Sequence, residues 1–155
     1  MHQNLLTLEE ITHSDLKEIF RLSREYKENR GKIQAKPLAG KSIGMIFSKS
    51  STRTRVSFDV GVYELGGHGL YLEESKMQVG RGETIADTAR VLSRYLHGIV
   101  IRTFRHSDVV ELAKYSHIPV INALTDEFHP CQIISDLFTM YELSESLEGV
   151  KITYL

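Results

Sequence analysis

The stretch "SIGMIFSKSSTRTRVSF", residues 42–58, joins a short apolar run to a polar helix start. An apolar run of six residues is typical of a strand that is buried on both faces of a sheet. Four hydroxyl side chains and two arginines follow within residues 50–55. A buried strand that passes through a short loop into a helix is the unit from which parallel α/β sheets are built.

The same alternation of strand and helix continues along the chain. We expect strands at 42–47, 68–74, 98–103 and 118–123. Helices are predicted to begin at five places: Ser14, the Ser/Thr cluster of residues 50–54, Thr84, Ser107 and Pro130. The second of these helices carries the apolar residues Val56, Val60 and Tyr63. The pattern predicts an α/β fold: a three-layer α-β-α domain whose central parallel sheet of about four strands is flanked by helices.

Composition limits the classes of function. The chain has 155 residues, enough for one ordinary domain, and its formal net charge is −1. No overall basicity favours nucleic acid or an acidic membrane surface as a partner. No apolar run approaches the ~20 residues of a membrane span, and the polar N-terminus lacks the apolar core of a signal peptide. With one cysteine, Cys131, the chain is expected to be a cytoplasmic protein without disulfides.

Polar side chains follow three of the predicted strands. The Ser/Thr/Arg loop follows the first strand, Arg102 ends the third, and His129 and Gln132 follow the fourth. Because the carboxyl ends of parallel strands share one edge of the sheet, we expect these loops to converge there. The sequence therefore predicts one polar site at this edge.

The residue types indicate an anion as the ligand. A helix N-terminus presents free N–H groups and the positive end of the helix dipole, and arginine can bind phosphate through two parallel hydrogen bonds. Two arginines in the first turn oppose that dipole unless an anion compensates them. Because Arg53 and Arg55 diverge by roughly 200° around a helix, we expect Arg53 to face the ligand and Arg55 to be structural. The alternative is that the hydroxyls only cap the helix and both arginines are surface charges.

Other kinds of chemistry lack support in the sequence. No GxxxxGK[ST] loop indicates a nucleotide, and the seven histidines show no metal-ligand spacing. Cys131 lies two positions after His129. Residues this close in sequence do not face each other on a helix, and we interpret Cys131 as a small packed residue rather than a nucleophile. We therefore predict neither a cofactor nor a metal.

Two motifs together indicate a family. "STRTR" at 51–55 and "HPCQ" at 129–132 resemble the carbamoyl-phosphate signatures of the transcarbamoylases. The segment "MQVGRGETIADTARVLSRYLHGIVIRTF", residues 77–104, is similar to the ornithine carbamoyltransferase branch of that family. The resemblance extends over about residues 5–155.

The resemblance implies a role for each matching residue. In the family's pattern the phosphate is held by Ser51, Thr52, Arg53 and Thr54. Arg102 would bridge phosphate and carbonyl oxygen, His129 would donate to that carbonyl, and Gln132 would contact the carbamoyl amide. Arg102, His129 and Thr54 would be the catalytic residues. Gln78 matches a residue that the family supplies to the neighbouring subunit's site, which implies a homotrimer.

The resemblance also implies a division of the chain. Residues 1–145 correspond to the carbamoyl-phosphate-binding domain, and residues 146–155, with "VKITYL" at 150–155 as a strand, to the start of an ornithine-binding domain. The ornithine branch's motifs in that second domain do not occur in this sequence. The implied activity is transfer of a carbamoyl group to L-ornithine in arginine biosynthesis or a urea-cycle-type reaction, with little activity from this half alone. Putrescine, aspartate or acylated ornithine as acceptor, and a non-catalytic phosphate-binding module, stay open as alternatives.

Overall fold

A computed structural model describes residues 4–32, 34–79 and 82–153 of the chain. Its helices and strands alternate in the order α1 His13–Glu28, β1 Ser42–Phe47, α2 Arg53–Glu64, β2 His68–Glu73, α3 Ile85–Leu92, β3 Gly98–Arg102, α4 His106–Tyr115, β4 Val120–Leu124 and α5 Pro130–Ser144. A 3₁₀ turn, Glu74–Lys76, follows β2. The four predicted strands and five predicted helices are all present.

The four strands form one parallel sheet in the order β2-β1-β3-β4. The chain moves to one side of β1 to form β2 and then crosses to the other side to form β3. The direction of winding therefore reverses between β1 and β3, and open α/β sheets bind ligands outside the carboxyl ends of the strands at such a point. The predicted α/β class is confirmed, and the topology places the candidate site beyond Phe47 and Arg102.

Both faces of the sheet are covered. On one face Ile46, Ile99 and Ile101 pack with residues of α3 and α4, including Ala89 and Val109. On the other face Met45, Phe47 and Val100 pack with Phe58 of α2. The strands are apolar on both sides because both sides are buried, which is why they appear in the sequence as short continuous apolar runs.

Helix α1 packs on α5. The ring of Phe20 lies 5.4 Å from that of Phe138 and 5.2 Å from that of Tyr141, measured between centroids. Lys27 forms an ion pair with Glu142 at 2.7 Å beside these rings. The aromatic cluster fixes α5 from its outer side, and α5 carries part of the candidate site at its first turn.

The N-terminal segment covers the outer edge of β4. The Leu5 N–H donates to the carbonyl of Val120 at 2.9 Å, and the Asn122 N–H donates to the carbonyl of Leu5 at 2.8 Å. The Asn122 side chain, which is fully buried, adds a hydrogen bond of 2.9 Å from Nδ2 to the carbonyl of Leu6. These bonds satisfy backbone groups that an open edge strand would leave unpaired.

The predicted cap of α1 is wrong, and the apolar residues of α2 face mostly outward. Helix α1 is capped by Thr12 rather than Ser14, because Thr12 and Asp15 form a capping box. In α2, Val56 and Tyr63 are exposed by 54% and 78%, and the buried residue is Val62. The sheet-facing side of α2 is therefore narrow, and the apolar spacing in the sequence follows the outer side of the helix.

The strand predicted at 150–155 is not formed over residues 150–153, and residues 154–155 lie outside the described part of the chain. A strand needs a neighbour for its backbone N–H and C=O groups. No strand in the described residues pairs with this segment. Among the described helices, none is both long and apolar enough to cross a lipid bilayer.

Candidate functional site

A polar cavity of about 540 Å³ lies at the carboxyl edge of β1, β3 and β4. It lies at the point where the winding of the sheet reverses, as the topology predicts. Seven of the eight residues that the sequence singled out line it: Ser51, Thr52, Arg53, Thr54, Arg102, His129 and Gln132. Ser50 and Leu124 complete the lining. The three predicted loops do converge on one cavity.

The start of α2 forms one wall. The N-cap residue is Thr52, and its side chain makes no capping hydrogen bond within the described structure. The first turn of α2 also contains no acidic residue. These observations argue against the alternative in which the hydroxyls serve only to cap the helix. The first turn therefore has the positive end of a helix dipole, hydroxyl groups and Arg53 on the same wall.

Arg55 lies apart from this wall. Its guanidinium carbon lies 3.7 Å from the centre of the Tyr71 ring, in a cation–π contact. Arg55 does not line the cavity, whereas Arg53 does. The two arginines of the first turn thus divide as the helical geometry predicts.

Arg102 ends β3 and lines the cavity. The pairing of β3 with β4 is irregular after Ile101, so that Arg102 lies opposite Leu124. Irregularities of this kind redirect a side chain at the end of a strand. The guanidinium Nη1 donates to Thr54 Oγ1 at 3.1 Å, and Nε is buried without a hydrogen-bond partner among the described residues. A buried donor that lacks a partner costs free energy.

His129 occupies the N-cap of α5, between the fourth strand's loop and Pro130. Its Nδ1 is buried and has no hydrogen-bond partner among the described residues. Burial lowers the pKa of the imidazole below its usual value of 6.5; the charge of Arg102 lowers it further, and Asp136 opposes the shift. At neutral pH the ring is therefore uncharged, with one N–H to donate and one nitrogen that accepts.

This lowered pKa gives a first prediction. In an NMR titration of the histidine side chains, His129 should have its midpoint below 6.5. Because the unfolded chain binds the proton more tightly than the folded chain, the free energy of unfolding should fall as pH drops from above 6.5 through the folded pKa. Arg102→Met should raise the midpoint, since it removes one cause of the shift, and His129→Gln assigns the signal. A midpoint at or above 6.5 in the unmodified chain would contradict the prediction.

Gln132 follows on the first turn of α5 and lines the cavity. Its Nε2 donates to Asp136 Oδ1 at 2.8 Å. Cys131, its neighbour, points elsewhere, because its Sγ lies 3.4 Å from the carbonyl oxygen of Asn122. Burial raises the pKa of the Cys131 thiol to about 11, which suits a packed residue rather than a nucleophile.

Gln78 is the one predicted site residue that lies outside the cavity. It is exposed in the segment that follows the 3₁₀ turn. Within this chain Gln78 contributes nothing to the cavity lining, and its role toward another subunit stays a prediction.

Residues that the sequence did not single out hold the three loops together. Lys49, before the Ser/Thr cluster, forms an ion pair with Asp126 and lies 4.5 Å above the centre of the Phe104 ring. The hydroxyl of Ser48 donates to Thr103 Oγ1 at 3.1 Å. These contacts connect the loops after β1, β3 and β4. Lys49 and Asp126 are 77 positions apart, and no local pattern in the sequence indicates such a pair.

The arrangement is suited to a small ligand with an anionic end and a polar carbonyl end. The lining combines the hydroxyl groups and Arg53 at the start of α2 with Arg102, neutral His129 and Gln132. In the described residues, no group of three or more His, Cys, Asp or Glu is placed to hold a metal ion. The fold and the cavity together define an open-sheet α/β domain with an anion-suited site at its switch point.

Comparison with known proteins identifies which such domain this is. The family profile described as "Aspartate/ornithine carbamoyltransferase, carbamoyl-P binding domain" matches residues 3–142. The ornithine carbamoyltransferase of Bacillus thuringiensis subsp. konkukian is 52% identical over 153 residues, which is 99% of this chain and 48% of that protein. The chain therefore belongs to the aspartate/ornithine carbamoyltransferase family, and its match lies in that family's carbamoyl-phosphate-binding domain.

Solved structures of ornithine carbamoyltransferases support the same family assignment. The ornithine carbamoyltransferase of Pyrococcus furiosus superposes with a TM-score of 0.91 at 47% identity, covering 96% of this chain and 48% of that one. The ornithine carbamoyltransferase of Thermus thermophilus superposes with a TM-score of 0.90 at 35% identity, and the match covers 97% of this chain and 52% of that one. The chain spans about half the length of the relatives it matches.

Proposed function

We propose that this chain binds carbamoyl phosphate as the donor-binding half of an ornithine carbamoyltransferase. The reaction transfers the carbamoyl group to the δ-amine of L-ornithine and yields L-citrulline and phosphate. The observation that carries the proposal is the single cavity in which Arg53, Arg102, His129 and Gln132 meet the uncapped start of α2. The names of the relatives support the choice of ornithine as acceptor.

The phosphate end of the donor would lie against α2. Backbone N–H groups at a helix N-terminus and the hydroxyls of Ser51, Thr52 and Thr54 suit phosphate oxygens. Arg53 would add charge-assisted hydrogen bonds. This wall would also stabilise the phosphate as it leaves.

The carbamoyl end would lie against β3 and α5. Attack of the neutral amine on the carbamoyl carbon forms a C–N bond and a tetrahedral species with a negatively charged oxygen. Arg102, His129 and Thr54, which line the cavity together, would donate to that oxygen, and loss of one such donor typically costs a factor of about 10² to 10³ in rate. The C–O bond to phosphate then breaks, and the amine's proton passes to the departing phosphate.

Two further parts of the proposal concern assembly. We place the acceptor-binding residues in the half of the family's length that this chain does not match, and we propose a homotrimer in which Gln78 serves a neighbouring site. The exposed side chains of Val56, Val60 and Tyr63 on α2 favour a subunit contact, since an apolar helix face is costly to leave in water. A cytoplasmic setting suits the unpaired thiol of Cys131.

The test is a calorimetric titration of the chain with carbamoyl phosphate. Arg53→Ala should weaken binding by about tenfold or more, because hydrogen bonds to charged groups contribute about 1.5–3 kcal/mol. Arg55→Ala is the matched control: it removes the same charge two positions away but lies on Tyr71 outside the cavity. Its affinity should stay within about twofold of the unmodified chain. Equal losses in both variants, or no binding by the folded chain, would contradict the proposal.

A further inference from the structure

The amide of Gln132 is held from one side. Gln132 lines the cavity, whereas Asp136 lies one helical turn further along α5 and does not. Between them, Gln132 Nε2 donates to Asp136 Oδ1 at 2.8 Å. Residues at this i, i+4 spacing are neighbours on a helix surface, so α5 brings the two side chains within reach of each other.

This contact determines which end of the amide a ligand meets. An ionised carboxylate has acceptor oxygens only, so the nitrogen of Gln132 must face Asp136. If the amide turned over, its oxygen would face a carboxylate oxygen, and two acceptors would oppose each other. The oxygen Oε1 is therefore the group left for a ligand in the cavity, and it accepts hydrogen bonds but does not donate them.

We propose that Asp136 is a positioning residue that sets the amide of Gln132 and thereby selects a carbamoyl phosphate over an acyl phosphate. The inference rests on the proposed function, and it names the origin of donor selectivity. Carbamoyl and acetyl phosphate share a phosphate and a carbonyl and differ in having an amino group or a methyl group. Only a hydrogen-bond acceptor beside that position separates them, and Oε1 of Gln132 is such an acceptor.

The direction of selectivity follows from the orientation. With Oε1 toward the ligand, the amino group of the carbamoyl donor gains a partner, and a methyl group at the same place leaves Oε1 unpaired. Sites built to bind an N–H reject analogues that lack it, because a polar group of the site then loses its partner. With the amide turned over, the amino group would meet two donors and the preference would disappear.

Stable phosphonates provide the test. Phosphonoacetamide and acetonylphosphonate differ only in carrying an amino or a methyl group, and inorganic phosphate reports on the anion wall alone. The unmodified chain should bind the amide about tenfold more tightly than the ketone. Asp136→Asn, whose side chain both donates and accepts, allows both orientations of Gln132. It should reduce the ratio of the two affinities at least about threefold without weakening the binding of phosphate.

Two control variants separate positioning from a structural effect. Asp136→Glu keeps an acceptor-only group and should retain most of the preference. Gln132→Met should abolish it, and adding Asp136→Asn to Gln132→Met should change the ratio no further. Because Asp136 is exposed, its variants should melt near the temperature of the unmodified chain. An unchanged ratio in Asp136→Asn, or equal losses for all three ligands, would overturn the proposal.

The outcome also distinguishes this inference from the proposed function. If the unmodified chain binds both phosphonates equally and Arg53→Ala abolishes binding, the anion site stands and only the role of Asp136 fails. If no phosphonate binds and Arg53→Ala changes nothing, the proposed function fails and the inference fails with it.

Discussion

Arg102→Met should weaken the binding of carbamoyl phosphate to this chain by about 100-fold or more. Arginine on a ligand's charged oxygens makes two or more charge-assisted hydrogen bonds, each contributing about 1.5–3 kcal/mol. Arg102 lines the cavity and its Nη1 donates to Thr54 at 3.1 Å, so we expect its other guanidinium N–H groups to bind the donor. Methionine keeps much of the apolar length of the side chain and removes every donor.

Arg105→Met is the matched control for this variant. Arg105 lies three positions further on, and its replacement changes the net charge by the same amount. Arg105 occupies the N-cap position of α4, and its side chain forms an ion pair with Asp108. Exposed ion pairs contribute about 0–1 kcal/mol, so the affinity should change by less than about threefold. Isothermal titration of both variants at one ionic strength gives the comparison. Similar losses in the two variants would mean that the general positive potential, and not a directed contact, binds the donor.

Much of the fold follows from local pattern. The segment 42–58 is a buried strand that enters a helix through a polar loop, and the structure has β1 and α2 in those places. The carboxyl ends of parallel strands lie at one edge of the sheet. Arg102 and His129 were therefore expected beside the Ser/Thr cluster, although both are far from it in sequence. The seven lining residues that the motifs predicted lie together for this reason.

Other features depend on contacts that no local pattern contains. The outward position of Val56 and Tyr63 depends on which side of α2 meets the sheet, and helical spacing alone does not decide this. The contact of Lys49 with Asp126 joins two loops that the crossover connections bring together. A strand at 150–153 would need a partner strand, and the described residues provide none. The role of Gln78 stays a prediction because it concerns a second subunit.

The amide of Asn122 is a further long-range feature, and it leads to the prediction with the largest effect on stability. Asn122→Val should lower the free energy of unfolding by about 2 kcal/mol. Asn122 is fully buried and its Nδ2 donates to the carbonyl of Leu6 at 2.9 Å and to that of Phe128 at 3.4 Å. A buried carbonyl left without a donor costs about 1–3 kcal/mol. The carbonyl of Phe128 keeps a bond of 2.8 Å from the backbone of Thr125, so the loss falls mainly on Leu6.

The same substitution should also weaken donor binding, by about threefold to tenfold. Phe128 directly precedes His129. Two buried polar residues, Asn122 and Thr125, form hydrogen bonds with the backbone of Phe128. Thr125 still holds this backbone in the variant, but loss of the Asn122 bond loosens it and allows the imidazole to shift relative to the carbonyl of the donor. Affinity is measured by titration at a temperature where the variant stays folded, and stability by urea unfolding.

Ser116→Ala is the control that isolates this effect. It also removes a buried polar side-chain group, but the Ser116 hydroxyl has no partner in the part of the chain that the structure describes. Its unfolding free energy and its affinity should both stay close to those of the unmodified chain. If Asn122→Val proves as mild as Ser116→Ala, the edge segment at Leu5 and Leu6 is held by its backbone bonds alone, and Asn122 does not connect that segment to the site. If stability falls while affinity is unchanged, the loop before His129 is held by Thr125 without Asn122. Only the joint loss supports a single buried amide that secures both the N-terminal edge of the sheet and the histidine at the start of α5.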